Sequence, residues 1–149
     1  MSATRPPREQ LLGTWKLISN SLVDLEGNTR HPLGDKPRGY LTLTPEGRFV
    51  AILAAGTRQA GQSEAELAAL QRSFVGYTGR FTLEPSQDDP TGWTLRNRVE
   101  VAWNEAWVGT EQIRYLSLDG DILTITARPE RSAFGDKIRQ ATIVWQRSA

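Results

Sequence analysis

The sequence contains no cysteine, a single histidine and a single methionine in 149 residues. The lack of cysteine excludes disulfides, thiolate nucleophiles and cysteine-ligated metal sites. The histidine, His31, stands beside Pro32 in the turn-rich stretch 24–39, DLEGNTRHPLGDKPRG. We therefore interpret His31 as an exposed loop residue, not as a member of a catalytic triad, and we expect no metal site.

Excess charge and long apolar runs are also missing. The chain has 18 basic and 17 acidic residues, a formal net charge of +1, which gives no electrostatic reason to expect nucleic acid or an anionic membrane as a partner. No segment approaches the roughly 18 apolar residues of a membrane span. The opening MSATRPPREQ has no apolar run, and no phosphate loop, dinucleotide fingerprint or HExxH motif occurs. We expect a cytoplasmic protein without a cofactor.

Alternating segments separated by turn formers fill most of the chain. The turns Thr44-Pro45-Glu46-Gly47 and Asp119-Gly120 are strong hairpin signals. The predicted strands cover residues 15–19, 39–44, 48–54, 77–84, 92–103, 111–118, 122–128 and 137–147, and residues 129–136 are read as a turn. Local connections between about eight strands predict an all-β protein, a single closed antiparallel barrel able to enclose one small ligand.

The rest of the predicted single domain, residues 1–149, is short. Residues 1–8 are expected to form a flexible arm, and Arg8–Leu12 a helical turn that plugs one barrel end. Residues 63–75 form the one convincing helix, with Ser63 and Glu66 as a capping box. We favour packing of this helix on the barrel wall, and a lid is the alternative.

Five stretches carry a resemblance over nearly the whole chain. They are LLGTWKLIS at 11–19, GYLTLTPEGR at 39–48, YTGRF at 77–81, RVEVAWNEAWVGTEQIRYLSLDGDILTIT at 98–126 and ATIVWQR at 141–147. The sequence resembles the bacterial and fungal lipocalin-like domain family. The resemblance implies a calycin-type barrel with a buried small-molecule cavity, sometimes in a natural-product pathway. It also implies that Trp15 packs near Arg147 at the barrel floor.

This chain departs from the family at one point. Related sequences often carry one or two histidines just before the VEV run, where this chain has Asn97 and Arg98. This chain therefore has no histidine at these positions for acid–base chemistry.

Aromatic and polar strand residues are the candidates for a ligand site. The predicted ligand-binding residues are Tyr40, Tyr77, Phe81, Asn97, Val99, Trp103, Trp107, Arg114, Tyr115 and Trp145. The catalytic candidates are Glu100, Arg114 and Tyr77. Strand register is not visible in sequence. If Val99 and Val101 face inward, Asn97 and Trp103 do too, and Glu100 faces outward. The reversed pleat brings Arg98 and Glu100 inside.

Two functions fit these residues best. The first is binding of a small, mostly hydrophobic molecule, within a natural-product pathway. The alternative is a cofactor-free cyclase or isomerase acting on a polyketide- or terpenoid-like substrate, because such barrels can catalyse by shape, water exclusion and one acid or base. A protein-interaction module ranks last, and the choice between monomer and homodimer stays open.

Overall fold

The computed structural model describes residues 4–131 and 138–148. Two short 3₁₀ helices cover Arg8–Leu11 and Glu105–Trp107, and one α-helix, α1, covers Glu64–Arg72. The strands are β1 (Gly13–Asp24), β2 (Thr29–Arg30), β3 (Arg38–Leu43), β4 (Arg48–Ala54), β5 (Phe74–Pro85), β6 (Trp93–Ala102), β7 (Glu111–Asp119), β8 (Ile122–Ala127), β9 (Glu130–Arg131) and β10 (Ile138–Arg147).

Eight of these strands close into a barrel. The neighbour order is β1-β3-β4-β5-β6-β7-β8-β10, every pairing is antiparallel, and β1 pairs with β10 to complete the ring. The two-residue strands β2 and β9 extend β1 and β10 at one end. Gly47, at φ +89°, supplies the left-handed backbone of the β3–β4 hairpin. The predicted closed all-β barrel is confirmed, although the predicted turn 129–136 contains β9 and otherwise continues outside the described residues.

Two register shifts decide which side chains enter the barrel. In β1 a bulge between Leu17 and Ser19 turns Asn20, not Ser19, to the inside. Between β5 and β6, Gly79 pairs with Val99 but Thr78 pairs with Val101, so β6 has one extra residue, Glu100, at this point. A bulge reverses the inside–outside alternation beyond it. The expectation that Val99 and Val101 share one face of β6 is therefore wrong.

Gly79 is required at the second of these shifts. A Cβ atom at this position would lie 1.9 Å from the carbonyl oxygen of Arg98 on the neighbouring strand. No side chain fits in that space without movement of the β6 backbone, so only glycine allows the two strands to pair closely here.

One barrel end is closed by Trp15, as the resemblance implied. Trp15 is fully buried, its indole Nε1 donates to Leu11 O at 3.0 Å, and the Arg147 guanidinium lies 4.2 Å from its ring centroid. Arg147 also donates from Nη1 to Leu12 O at 3.1 Å and from Nη2 to Gln10 O. The first 3₁₀ helix is thus fastened to the last strand, and we name this end the floor.

The segment before that helix also contacts the barrel. Arg5 donates from Nε to Gly92 O at 2.8 Å, and the Trp93 indole donates to Pro6 O at 2.9 Å. The prediction of a flexible arm did not anticipate these bonds, which hold residues 5 and 6 against the β5–β6 turn.

The helix α1 connects β4 to β5 at the opposite end. The capping box is present: Ser63 Oγ accepts from Glu66 N, and Glu66 Oε1 accepts from Ser63 N, each at 3.1 Å. The prediction of wall packing is wrong, because α1 buries no residue and Leu67 stays 52% exposed. The helix ends at Arg72, since Phe74 already belongs to β5. No helix in the described part of the chain has the length and apolar character to cross a membrane.

Candidate ligand-binding site inside the barrel

The barrel interior holds a cavity between the floor and the opposite end, which we name the mouth. Side chains from seven strands line it; they are aliphatic and aromatic apart from one amide and one guanidinium. The lining residues are Leu41, Leu43, Phe49, Ala51, Leu53, Tyr77, Leu95, Asn97, Arg114, Ile125, Ile143 and Trp145.

The cavity is small in this conformation. Its volume is about 30 Å³, which is room for two or three waters at the roughly 10–15 Å³ that each needs. Ligand pockets commonly measure roughly 300–1,000 Å³. The side chains of the barrel thus fill most of the interior, and any organic ligand requires some of them to move.

An aromatic chain leads from the interior to the mouth. It consists of Phe49, Tyr77, Trp107 and Trp103, whose successive ring centroids are 5.4, 5.0 and 4.7 Å apart with edge-to-face geometry. Phe49 is buried in β4, whereas Trp107 lies in the short 3₁₀ turn between β6 and β7 and is only partly buried. The two tryptophans therefore cover the cavity from the mouth side.

Polar side chains enter the barrel in its mouth half. Asn97 on β6 and Gln112 on β7 are direct partners across the two strands, and we name them the amide pair. Asn97 is 5% exposed. Asn97 Oδ1 and Gln112 Oε1 are both buried, and no described residue gives either oxygen a hydrogen bond. Such unpaired groups are rare in protein interiors and point to a further partner.

Two other positions on the inner face share this property. Asn20 Oδ1 on β1 and the Nε and Nη1 of Arg139 on β10 are buried and without a hydrogen-bond partner among the described residues. The indole Nε1 of Trp145, closer to the floor, is unpaired within the same residues. Arg114 also faces the cavity, and its Nη1 donates to Ile113 O at 3.0 Å.

Most of the predicted ligand residues face inward. Six of them lie on the inner face of a strand, and two, Trp103 and Trp107, lie at the mouth; the six are Tyr77, Phe81, Asn97, Val99, Arg114 and Trp145. Sequence reasoning missed Gln112, Asn20 and Arg139. The period-two spacing from Arg114 to Gln112 and from Trp145 to Arg139 could have found two of the three, whereas the β1 bulge hid Asn20.

Three candidates lie outside the cavity, and their predicted place in it is wrong. Tyr40 is 51% exposed on the outer face of β3. Tyr115 alternates with the inward Arg114 and lies outside, with Arg128 5.6 Å from its ring centroid. Glu100 follows the inward Val99 and forms outer-surface ion pairs with Arg48 at 2.8 Å and Arg80 at 3.8 Å. Glu100 is therefore no candidate for acid–base chemistry in the barrel.

Outside the barrel the described residues offer less. His31 is exposed, as predicted, and no group of three or more potential metal ligands occurs in the described part of the chain. A surface groove of about 350 Å³ lies between α1 and the segment after β4. Its main cation, Arg58, is already bonded to Ser73 Oγ and Leu70 O, both at 3.1 Å. The groove is open to solvent, and none of the buried unpaired polar atoms of the described residues lies in it, so the barrel interior remains the better site.

The chain is similar to two proteins of known description. It is 35% identical over 66 residues to the 4'-hydroxy-3'-methoxypropiophenone carrier protein of Aspergillus oryzae. That match covers 43% of this chain and 59% of the relative's length. A redesigned β-barrel of solved structure aligns with 99% of this chain and 100% of its own, at 13% identity and a TM-score of 0.47.

The family assignment rests on a longer match. The sequence profile of the lipocalin-like domain matches residues 12–148, which include all eight barrel strands, Trp15 and Arg147 of the floor, and the mouth. The chain therefore belongs to the lipocalin-like domain family.

Proposed function

We propose that this protein binds and carries a small, mostly apolar aromatic molecule inside the barrel. The observation that carries the proposal is the combination of an enclosed apolar interior with buried polar atoms that lack partners among the described residues. A few convergent polar groups on an apolar lining are typical of small-molecule sites. A core that served packing alone would have no use for them.

Binding requires the mouth to open. A cavity that holds benzene measures roughly 150 Å³, about five times the present volume. Trp107 is the side chain best placed to move, because it is only partly buried and lies in a short 3₁₀ turn, whereas the bonds that tie this loop to Val99 of β6 come from Gly109 and Thr110. We expect the ligand to displace Trp107 and to take its place against Tyr77, with the edge-to-face ring contact retained.

The fungal relative supports the same class of ligand. Its described cargo is a hydroxylated, methoxylated aryl ketone, a compact molecule with one ring and few polar atoms. Because the match spans 59% of that protein, the nature of the ligand and a role in a natural-product pathway are part of the proposal.

The cavity lining favours carriage over catalysis. Among the described residues that line it, Tyr77 and Arg114 are the titratable ones. General acid–base chemistry at neutral pH works best with a group whose pKa lies near 7. The carboxylate predicted from the sequence for this role, Glu100, lies on the outer surface of the barrel. A cyclase or isomerase would have to act by shape and by these two groups alone.

Titration with 4'-hydroxypropiophenone tests the proposal. Tryptophan fluorescence should change to saturation, and native mass spectrometry should show one molecule bound per chain. Chromatography of the recovered ketone separates the two functions, since unchanged ketone fits a carrier and a new product would replace carriage with catalysis. Absence of both a complex and a fluorescence change would refute the proposal.

A pair of variants on one strand locates the site. Ala51 lines the cavity and is 3% exposed, whereas its neighbour Val50 is 44% exposed on the outer face. Ala51→Leu adds three carbons to a cavity of about 30 Å³ and should weaken binding at least tenfold. Val50→Leu, the matched control, should bind like the wild type. Thermal unfolding of both variants shows whether A51L remains folded at the assay temperature.

A further inference from the structure

We infer that the amide pair and Trp145 select a ligand with two polar ends, a hydroxyl at the amide pair and an oxygen acceptor at the Trp145 indole. A hydroxyaryl carbonyl compound is the chemical class that fits. This inference rests on the proposed function and adds to it the residues that would read each end of the ligand.

The amide pair is suited to a hydroxyl. Asn97 and Gln112 are directly opposite on antiparallel strands, so their Cβ atoms lie roughly 4.5–5.5 Å apart. Both side-chain oxygens are buried, and no described residue donates to either of them. One hydroxyl can donate to one of the two amide oxygens and accept from the other amide's nitrogen, so it pairs one of the two oxygens. A carbonyl or an ether has no proton to donate and would pair neither.

Trp145 requires the opposite chemistry. Its Nε1 is a donor only, the side chain is 2% exposed, and no described residue accepts its proton. A ligand oxygen with a free lone pair, such as a ketone, would satisfy it. Substitution of either polar end by hydrogen would leave a buried protein group unpaired, and sites of this kind discriminate strongly against such analogues.

The two ends of this pattern are on well-separated strands. β6 and β10 are separated by β7 and β8 on one side of the ring, three strand intervals of about 4.8 Å each along the wall. In an eight-stranded barrel this is three of the eight intervals around the wall. Asn97 and Trp145 both line the cavity. An aromatic ligand bound between them would carry its hydroxyl and its acceptor at opposite ends of the molecule.

Four matched ligands test the inference with the full chain. They are 4'-hydroxypropiophenone, propiophenone, 4-propylphenol and propylbenzene, which differ in the hydroxyl and the carbonyl alone. Calorimetric titration should give a Kd about tenfold higher for each polar group removed, on the scale of one good hydrogen bond. In N97L/Q112M the advantage of the hydroxyl should disappear while the advantage of the carbonyl remains. In W145F the reverse is expected. Q146M, at an exposed position of β10, is the control and should match the wild type.

Each outcome bears on a different statement. Equal Kd values for all four ligands in the wild type would overturn the inference but not the proposed carriage of an apolar aromatic molecule. In that case water would supply the hydrogen bonds of the amide pair. A hydroxyl advantage that persists in N97L/Q112M would overturn the assignment to the amide pair. Because the ligand comparison in the wild type needs no variant, poor folding of W145F cannot leave the inference undecided. No saturable binding of any of the four would refute the proposed function itself.

Discussion

The floor of the barrel should depend on Arg147 more than on any other surface-reachable side chain. Its guanidinium stacks 4.2 Å from the Trp15 ring centroid and donates to the carbonyl oxygens of Leu12 and Gln10. These contacts tie the 3₁₀ helix at Arg8–Leu11 to β10. Arg147→Ala removes all of them and leaves a gap above a fully buried tryptophan.

The expected cost can be worked from these contacts. A partly exposed cation–π contact contributes about 0.5–1 kcal/mol, and a hydrogen bond from a charged donor about 1.5 kcal/mol or less where water competes. Because Arg147 is 28% exposed, we take the lower part of both ranges and expect R147A to destabilise by about 2–3 kcal/mol. In a domain of this size that corresponds to a fall in Tm of roughly 4–12 °C.

Urea denaturation followed by tryptophan fluorescence measures this loss. Arg147→Lys keeps the charge but not the planar two-pronged donor, so it should recover less than half of it. Asp121→Ala is the matched control, since its carboxylate is 76% exposed and 4.0 Å from Arg147, a pair that contributes less than about 1 kcal/mol. An R147A variant within about 0.5 kcal/mol of the wild type would show that the floor does not depend on this residue.

Three further changes test other parts of the account. Gly79→Ala places a Cβ 1.9 Å from Arg98 O and should lower the free energy of unfolding, measured in urea, by at least about 2 kcal/mol. Thr82→Ala, on the outer face of β5, is the control and should change it little. Equal stability of the two variants would show that the bulge can relax. Glu100→Gln breaks exposed ion pairs and should leave the Kd of 4'-hydroxypropiophenone unchanged, because a weaker complex would return Glu100 to the site. Ser63→Ala should lower helix stability by up to about 1 kcal/mol. Its hydroxyl bond, with help from backbone bonds, lowers the pKa of Glu66. A lowered folded-state pKa stabilises the fold above the unfolded pKa, and this part is lost as the pH falls through the folded pKa. The difference in Tm between wild type and S63A should therefore narrow in acid to the part contributed by the bond from Glu66 N to Ser63 Oγ, and a pH-independent difference would contradict this.

The closed barrel could be predicted from the sequence because its signals are local. Gly47 and Gly120, both at positive φ, mark hairpins that force antiparallel neighbours, and the helix cap at Ser63 depends on two residues three positions apart. The partnership of Trp15 with Arg147 spans the whole chain and was implied by the family resemblance. Composition and spacing alone would not have paired them.

The inner face could be predicted only as far as the first bulge. Period-two alternation places Asn97 and Val99 together, but the extra residue at Glu100 sends Val101 outward, 64% exposed. The bulge forms because Gly79 on the neighbouring strand lets the Arg98 carbonyl approach, which is a contact across strands that no single segment encodes. The same reasoning explains why Asn20 was missed in β1.

The volume of the cavity could not be predicted from the sequence either, since it depends on the packing of twelve side chains from seven strands. That volume changes how the polar interior is understood. In a roomy cavity, the amide pair would be solvated and would need no special partner. In a space of about 30 Å³, each unpaired buried group costs roughly 1–3 kcal/mol, and Leu or Met at these positions would fill the same space without that penalty. Under the proposed function, a ligand with matching polar atoms offsets this cost, and we propose that the interior serves recognition as well as packing.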